Sequence, residues 1–169
     1  MEMEDAGIVL RYRSDPVANC YQGWIPKTID DVRDFIENRV ARTIDTVGTW
    51  FQLVMIKKAD NALIGDIGVH FLDAERQQVE LGFTLDREHQ GRGYATEALT
   101  EIIEHLFNEL KKHRIVAAID PRNGPSIALV ARLGFRKEAH FKESIRQNGV
   151  WVDDLLYALL ESEWRAGKF

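Results

Sequence analysis

Val79-Glu80-Leu81-Gly82-Phe83-Thr84-Leu85, followed by Asp86-Arg87-Glu88-His89-Gln90-Gly91-Arg92-Gly93-Tyr94 and then Ala95 to Leu110, is the stretch that decides the fold. In its first part Val79, Leu81, Phe83 and Leu85 alternate with Glu80, Gly82 and Thr84. That period of two predicts a strand with one apolar face. In its last part Ala95, Ala98, Leu99, Ile102, Ile103, Leu106, Phe107 and Leu110 recur at three- and four-residue steps. They predict a helix with one buried stripe. Glu97, Glu101 and Glu104 lie toward its start, and Lys111, Lys112 and His113 close it. This charge order complements a helix dipole.

Between strand and helix lies a glycine-containing turn. A helix start leaves about four backbone N–H groups unpaired and carries partial positive charge, which attracts phosphate. Gly91 and Gly93 remove the side chains that would hold a pyrophosphate away from those amides, and Ala95 keeps the turn narrow. The ligand of such a cradle is open at this point. A nucleoside triphosphate loop is excluded, because Gly93 is followed by Tyr94-Ala95-Thr96 and not by Lys-Ser/Thr. A dinucleotide fingerprint wants three glycines early in a parallel strand-helix-strand unit, whereas this turn follows antiparallel strands. A glycine turn that merely caps a helix would also fit two glycines alone.

Outward from this core, the chain opens with a short helix over Glu4 to Ser14, broken by Asp15-Pro16. Thr28 and Asp31 resemble a capping box, and the stripe Ile29, Val32, Phe35, Ile36 and Val40 predicts a second helix running to about Thr43. The run from Trp50, then Leu63 to Leu72, then Gln78 to Leu85 have only short polar links, which predicts an antiparallel meander. Ile115 to Ile119 reads as a strand buried on both faces and parallel to a neighbour through the preceding crossover helix. Pro125 and Gly134 frame a two-turn helix over Ser126 to Leu133. Arg136 to Arg146 and Val150 to Leu160 flank Gln147-Asn148-Gly149, a hairpin signal.

At 169 residues the whole chain, 1–169, reads as one domain. Its 22 basic and 27 acidic residues give a net charge of -5. That balance disfavours nucleic acid and suits a cationic acceptor. A single cysteine, Cys20, allows no internal disulfide and is not read as a nucleophile. No charged-then-apolar leader opens the chain, and no run approaches the roughly 20 apolar residues of a membrane span. The expectation is a cytoplasmic protein with neither a membrane nor a nucleic-acid partner.

Gln90-x-x-Gly93-x-Ala95 matches the Gln/Arg-x-x-Gly-x-Gly/Ala signature of the GNAT acetyltransferase superfamily, which the chain resembles. Asn123-Gly124-Pro125-Ser126 followed by Leu133-Gly134-Phe135 is similar to the Asn-x-x-Ser and Leu-Gly-Phe pair of the RimJ/RimL-like branch. Gly149-x-Trp151-x-Asp153, Tyr157 and Glu163-Trp164 look like that branch too, so the likeness spans Asp15 to Trp164. The resemblance implies a mixed α/β fold of the α+β kind: a mostly antiparallel twisted sheet of about six strands flanked by about four helices. The family's usual opening strand reads like Leu-x-Leu-Arg, whereas helical sequence begins here almost at Met1. That strand is therefore expected to be missing. An open sheet edge would invite either another segment or a second copy, so a homodimer is an expectation.

The resemblance further implies an N-acetyltransferase with acetyl-CoA as co-substrate and no metal. Phe83, Thr84 and Leu85 would contact the pantetheine, and Gln90, Gly91, Arg92, Gly93, Tyr94, Ala95 and Thr96 the pyrophosphate. Direct transfer needs a group to remove a proton from the amine, and Glu80, with Gly82 leaving space beside it, is the leading base. Ser126 is the natural donor to the departing thiolate, directly or through water, and Asn123 would bond the cofactor arm or fix its turn. Tyr21, Trp24, Trp151 and Asp153, with Asp154 beside it, are candidates for the acceptor side, where aromatic walls and carboxylates favour a cationic amine. The histidines, His70 among them, show no metal spacing and receive no chemistry. The expected reaction is acetylation of a primary amine, at a protein N-terminus or on a small molecule. The rival is a non-catalytic acyl-CoA sensor that kept the cradle and lost turnover.

Overall fold

The computed structural model describes residues 1–72, 75, 77–147 and 149–167. Six strands build one sheet: β1 Trp50–Lys57, β2 Ala62–Phe71, β3 Gln78–Leu85, β4 Arg114–Ile119, β5 Arg136–Gln147 and β6 Val150–Leu160. Their spatial order is β1-β2-β3-β4-β6-β5. Only the β3/β4 pair is parallel, and the others are antiparallel. The expected mixed fold, meander and parallel crossover are all present. The hairpin residue Asn148 lies outside the described residues, while Gly149 after it has φ 84°.

Five helices accompany the sheet among the described residues, one more than the sequence suggested: α1 Ala6–Arg13, α2 Ile29–Asn38, α3 Tyr94–Asn108, α4 Gly124–Arg132 and α5 Glu161–Arg165. The extra one is α5, five residues too short for a periodic signal. It is held by burial of Trp164, whose indole N–H donates to Glu104 on α3 at 2.9 Å. The second helix stops at Asn38, short of the expected Thr43. Its chain turns away to run beside β1: Val40 bridges Trp50, and the Ala41 amide donates to the Trp50 carbonyl at 2.8 Å. With the Met1 ammonium donating to the Gln52 carbonyl at 3.0 Å, these contacts partly cover the outer edge of β1. The α3 helix ends before Lys111, which sits at φ 53°.

The two sheet faces are packed differently. On one, Leu99, Ile103, Leu106 and Phe107 of α3 are buried in one cluster with Val79, Leu81, Ile115, Ala117 and Leu159. Each large side chain so buried contributes about 1.5–3 kcal/mol, against tenths for a surface helix pair, so this face fixes where α3 begins. On the other face lie Ala6, Val9 and Tyr12 of α1, with Val32 of α2 and Leu63. Here the attachment is polar. Asp66 of β2, with 0% exposure, accepts from Arg13 Nε at 2.9 Å and from the Tyr12 hydroxyl at 2.5 Å. Burial, reinforced by the Asp66 charge, pushes the Tyr12 phenol well above its ordinary range.

Candidate active site

The parallel ladder between β3 and β4 is short. It joins Gln78, Val79 and Glu80 to Arg114, Ile115 and Val116 and then ends. Yet β3 continues beside β2 as far as Leu85, and β4 continues beside β6 as far as Ile119. Beyond Glu80 the two strands therefore part, and backbone edges face each other across a wedge. A cleft of about 610 Å³, within the ordinary range for ligand sites, opens at the far end of β3; neither Glu80 nor any residue of β4 is among those that line it. Its walls come from Phe83 to Leu85, from the glycine turn, from the start of α4 and from the loop after α1, with Arg87 and Arg132 adding positive charge.

Local sequence shapes the turn. Asp86 accepts from the Glu88 amide at 3.2 Å to start a short 3-10 turn over Arg87–His89. Gln90 then reaches back, its side-chain amide donating to the Leu85 carbonyl at 3.0 Å. Gly91 and Gly93 take φ values of 72° and 87°, left-handed conformations that favour glycine. A Cβ at either would project into open space, with no protein atom within 4 Å. No side chain caps α3, so its first amides are left for a ligand in the cleft. Thr84 Oγ1 is buried without a hydrogen-bond partner among the described residues, a second orphan group on the same wall. An anionic group at the turn with a polar arm along β3 fits this wall. Gln90, Gly91, Gly93, Tyr94, Ala95 and Thr96 line the cleft as the sequence suggested, whereas Arg92 does not.

Glu80 stands at the last rung of the ladder, on the α1/α2 face. Directly across β2, His70 Nδ1 lies 3.7 Å from Glu80 Oε2. The His70 ring stacks on Trp50 of β1, centroids 4.7 Å apart and planes at 11°. Gly68 makes room for that indole: a Cβ there would fall 2.9 Å from it, whereas one on Gly82 would sit in ordinary contact at 3.7 Å. Burial pushes the Glu80 carboxyl up, His70 pulls it back down, and the nearby Asp154 charge adds to the rise. Asp154 is itself raised, chiefly by burial.

The remaining predicted residues divide. Asn123 and Ser126 both line the cleft, and Asn123 Oδ1 accepts from the Ser126 amide at 3.2 Å to cap α4. Tyr21 also lines it, its ring 5.6 Å from the Arg122 guanidinium. Trp24 does not; it stacks on Phe35 at 4.3 Å within the α1/α2 layer. Trp151 is exposed on the β5/β6 hairpin, and Asp153 beside it is occupied by His140, Lys142 and the Glu143 amide. Gln22, part of the Tyr21-Gln22-Gly23-Trp24 stretch considered for the acceptor side, lines the cleft too: its side chain donates to the Phe83 carbonyl at 3.2 Å, and its own carbonyl accepts from Gln147 at 2.9 Å. One residue escaped the sequence reading. His70 was identifiable only through the β2/β3 register.

The split ladder and glycine turn can be set beside known proteins. A family model for the acetyltransferase (GNAT) domain matches residues 1–136. The chain belongs to the GNAT acetyltransferase family. It is 33% identical over 165 residues to the uncharacterized N-acetyltransferase p20 of Bacillus licheniformis, covering 97% of this chain and 92% of that protein. A GNAT-family acetyltransferase structure from Bacillus anthracis superposes with a TM-score of 0.84 at 30% identity, covering 96% of this chain and 93% of that one. The [ribosomal protein uS5]-alanine N-acetyltransferase of Escherichia coli is 39% identical over 88 residues, which is 52% of this chain and 45% of that protein. GNAT acetyltransferases use acetyl-CoA and acetylate amines. Among the described residues no helix is long and apolar enough to cross a membrane.

Proposed function

We propose that this acetyltransferase passes the acetyl group directly to a primary amine, on a protein N-terminus or a small molecule, with Glu80 as the base. One observation carries the reading: Glu80 occupies the last paired position before β3 and β4 separate. An arm hydrogen-bonded along Leu81–Leu85, its phosphates at the Gly91–Gly93 turn, has its far end beside that rung. The strand from Glu80 to Leu85 covers roughly 17 Å at about 3.3 Å per residue, a span suited to an extended arm.

Acetyl-CoA supplies an activated thioester. The chain's own residues do the rest. Amides at the start of α3 hold the anionic end, and Thr84 and the β3 edge hold the arm. Glu80 takes a proton from the incoming amine; burial, opposed by His70, holds its carboxyl above the ordinary range, which makes it a stronger base than a solvated carboxylate. Ser126, oriented on α4 by the Asn123 cap, donates a hydrogen bond on the leaving-group side. Tyr21 contributes an aromatic wall on the loop after α1.

Free-thiol release from acetyl-CoA, measured against peptides with free N-termini, polyamines and aminoglycosides, tests the proposal. A preferred amine is expected, with Glu80→Gln lowering kcat by about 10²–10⁴-fold at unchanged CoA affinity. If Glu80→Gln and Ser126→Ala both transfer at the parental rate while CoA still binds, the assignment of roles is wrong.

A further inference from the structure

We infer that His70 is the relay through which Glu80 sheds its first proton, so that the working unit is a cross-strand pair and not a lone carboxylate. The inference rests on the amine-transfer reading above and goes beyond it by naming a second residue. Its basis is geometric. Nδ1 of His70 lies 3.7 Å from Glu80 Oε2, one small side-chain adjustment from a hydrogen bond. The ring cannot swing freely, because it lies flat against Trp50. Trp50 in turn occupies space that a side chain at Gly68 would take. Three strands thus cooperate to present one imidazole edge to one carboxylate.

Proton balance gives the pair its task. An alkylammonium acceptor must lose one proton before its nitrogen lone pair can attack the acetyl carbonyl carbon. The C–N bond then forms, the C–S bond breaks with its electron pair leaving on sulfur, and the nitrogen sheds a second proton. Two protons leave nitrogen per turnover: one ends on the CoA thiolate and one in solvent. A carboxylate that still carries the first proton cannot accept the second. His70 resolves this by taking the first proton from Glu80 at Nδ1 and releasing one to water from Nε2, which restores the carboxylate. Proton exchange of the neutral ring with water then returns the Nε2–H tautomer before the next turnover. The His70 side chain keeps 25% accessibility, so the ring is in contact with solvent.

The charged groups bearing on Glu80 are His70 from β2 and Asp154 from β6, and Asp120 after β4 bears in turn on Asp154. Trp50 from β1 and Val116, the partner of Glu80 in β4, do not titrate. Asp154 adds to the rise of the Glu80 carboxyl. His70 touches none of the reacting atoms and acts through Glu80.

The test uses the full chain. His70→Gln is expected to lower kcat roughly 10–100-fold, less than loss of the base itself, with acceptor KM and CoA affinity near parental values. Its loss should grow toward low pH, where Glu80 discharges least readily. His70→Phe, which keeps the stack on Trp50 but has no nitrogen, should lose turnover equally, and added imidazole should restore part of the rate in His70→Ala. A readout free of turnover is the pH titration of the Glu80 side-chain carboxyl carbon by NMR. Because His70 holds that carboxyl down, its midpoint should move up in His70→Gln. Parental kcat in His70→Phe, or an unmoved Glu80 midpoint in His70→Gln, overturns the relay. Should the parent acetylate no amine at all, the transfer reading fails, and the NMR titration still decides whether the two side chains are coupled.

Discussion

Asp66 and Thr84 are cross-strand partners on β2 and β3, so the carboxylate that anchors α1 shares a rung with a residue of the cleft wall. The loop after α1, from Val17 to Gln22, forms the opposite wall. One buried ion pair therefore sets the spacing between two sides of the site.

Removing only one partner of that pair leaves an uncompensated buried charge. Arg13→Met is expected to cost about 3–5 kcal/mol in denaturant unfolding. Arg13→Met combined with Asp66→Leu should recover much of that loss, because no isolated charge remains. Both variants should bind CoA more weakly than the parent in calorimetry, since each frees the loop after α1. Equal destabilisation by the single and double variants would show that the charge is not the controlling factor.

Gly93 faces two demands that Gly7 does not. At φ 87° an alanine costs about 1–2 kcal/mol, and its methyl would stand in the open space beside the first amides of α3. Gly93→Ala should weaken CoA binding at least tenfold and lower the melting temperature. Gly7, inside α1 with open space around its Cβ, should accept alanine with a gain of about 0.5–1 kcal/mol and unchanged CoA affinity. Calorimetry and thermal melts on the two variants separate cradle chemistry from general glycine effects.

Much of this was legible in the sequence because it depends on short-range pattern. The period-two run at Val79–Leu85, the 3.6-residue stripe of α3 and the glycine turn all lie within one segment, so the cleft wall they build could be read directly. What could not be read depends on register between distant segments. His70 and Glu80 are ten positions apart in sequence and meet only because the β2/β3 register sets them opposite. Trp24 looked like a site aromatic, but packing against Phe35 claimed it; that choice depends on where α2 lies and not on the residue's chemistry. The α5 helix was missed because five residues owe their conformation to the docking of Trp164 and not to local periodicity.

The raised Glu80 carboxyl carries a stability signature with a definite sign. Its protonated form is favoured by folding, so its contribution is fully present below the unfolded value and is lost as pH rises through the folded one. Glu80→Gln should therefore gain in melting temperature relative to the parent as pH increases from 4 to 7, while losing activity throughout. A constant difference in melting temperature across that range would mean that burial does not penalise the charge. In the parent, kcat/KM should rise with pH as Glu80 ionises.

Asp153 illustrates how a carboxylate in a promising loop is already employed. Its oxygens accept from His140 Nε2 at 2.7 Å, Lys142 Nζ at 2.8 Å and the Glu143 amide at 3.0 Å, and those contacts, Lys142 first, hold it well below the usual carboxylate range. Glu143 sits at φ 47°, inside the irregular stretch where the β5/β6 register shifts between Phe141 and Ile145. The carboxylate thus pins a bulge. Because its folded value is depressed, the pin holds above the unfolded value and is released as pH falls through the folded one. Asp153→Asn should speed hydrogen exchange of the Glu143 amide markedly at neutral pH while changing the melting temperature little, since the group is exposed and salt-screened. An acceptor-binding role predicts the reverse pattern: a raised acceptor KM with Glu143 exchange unchanged.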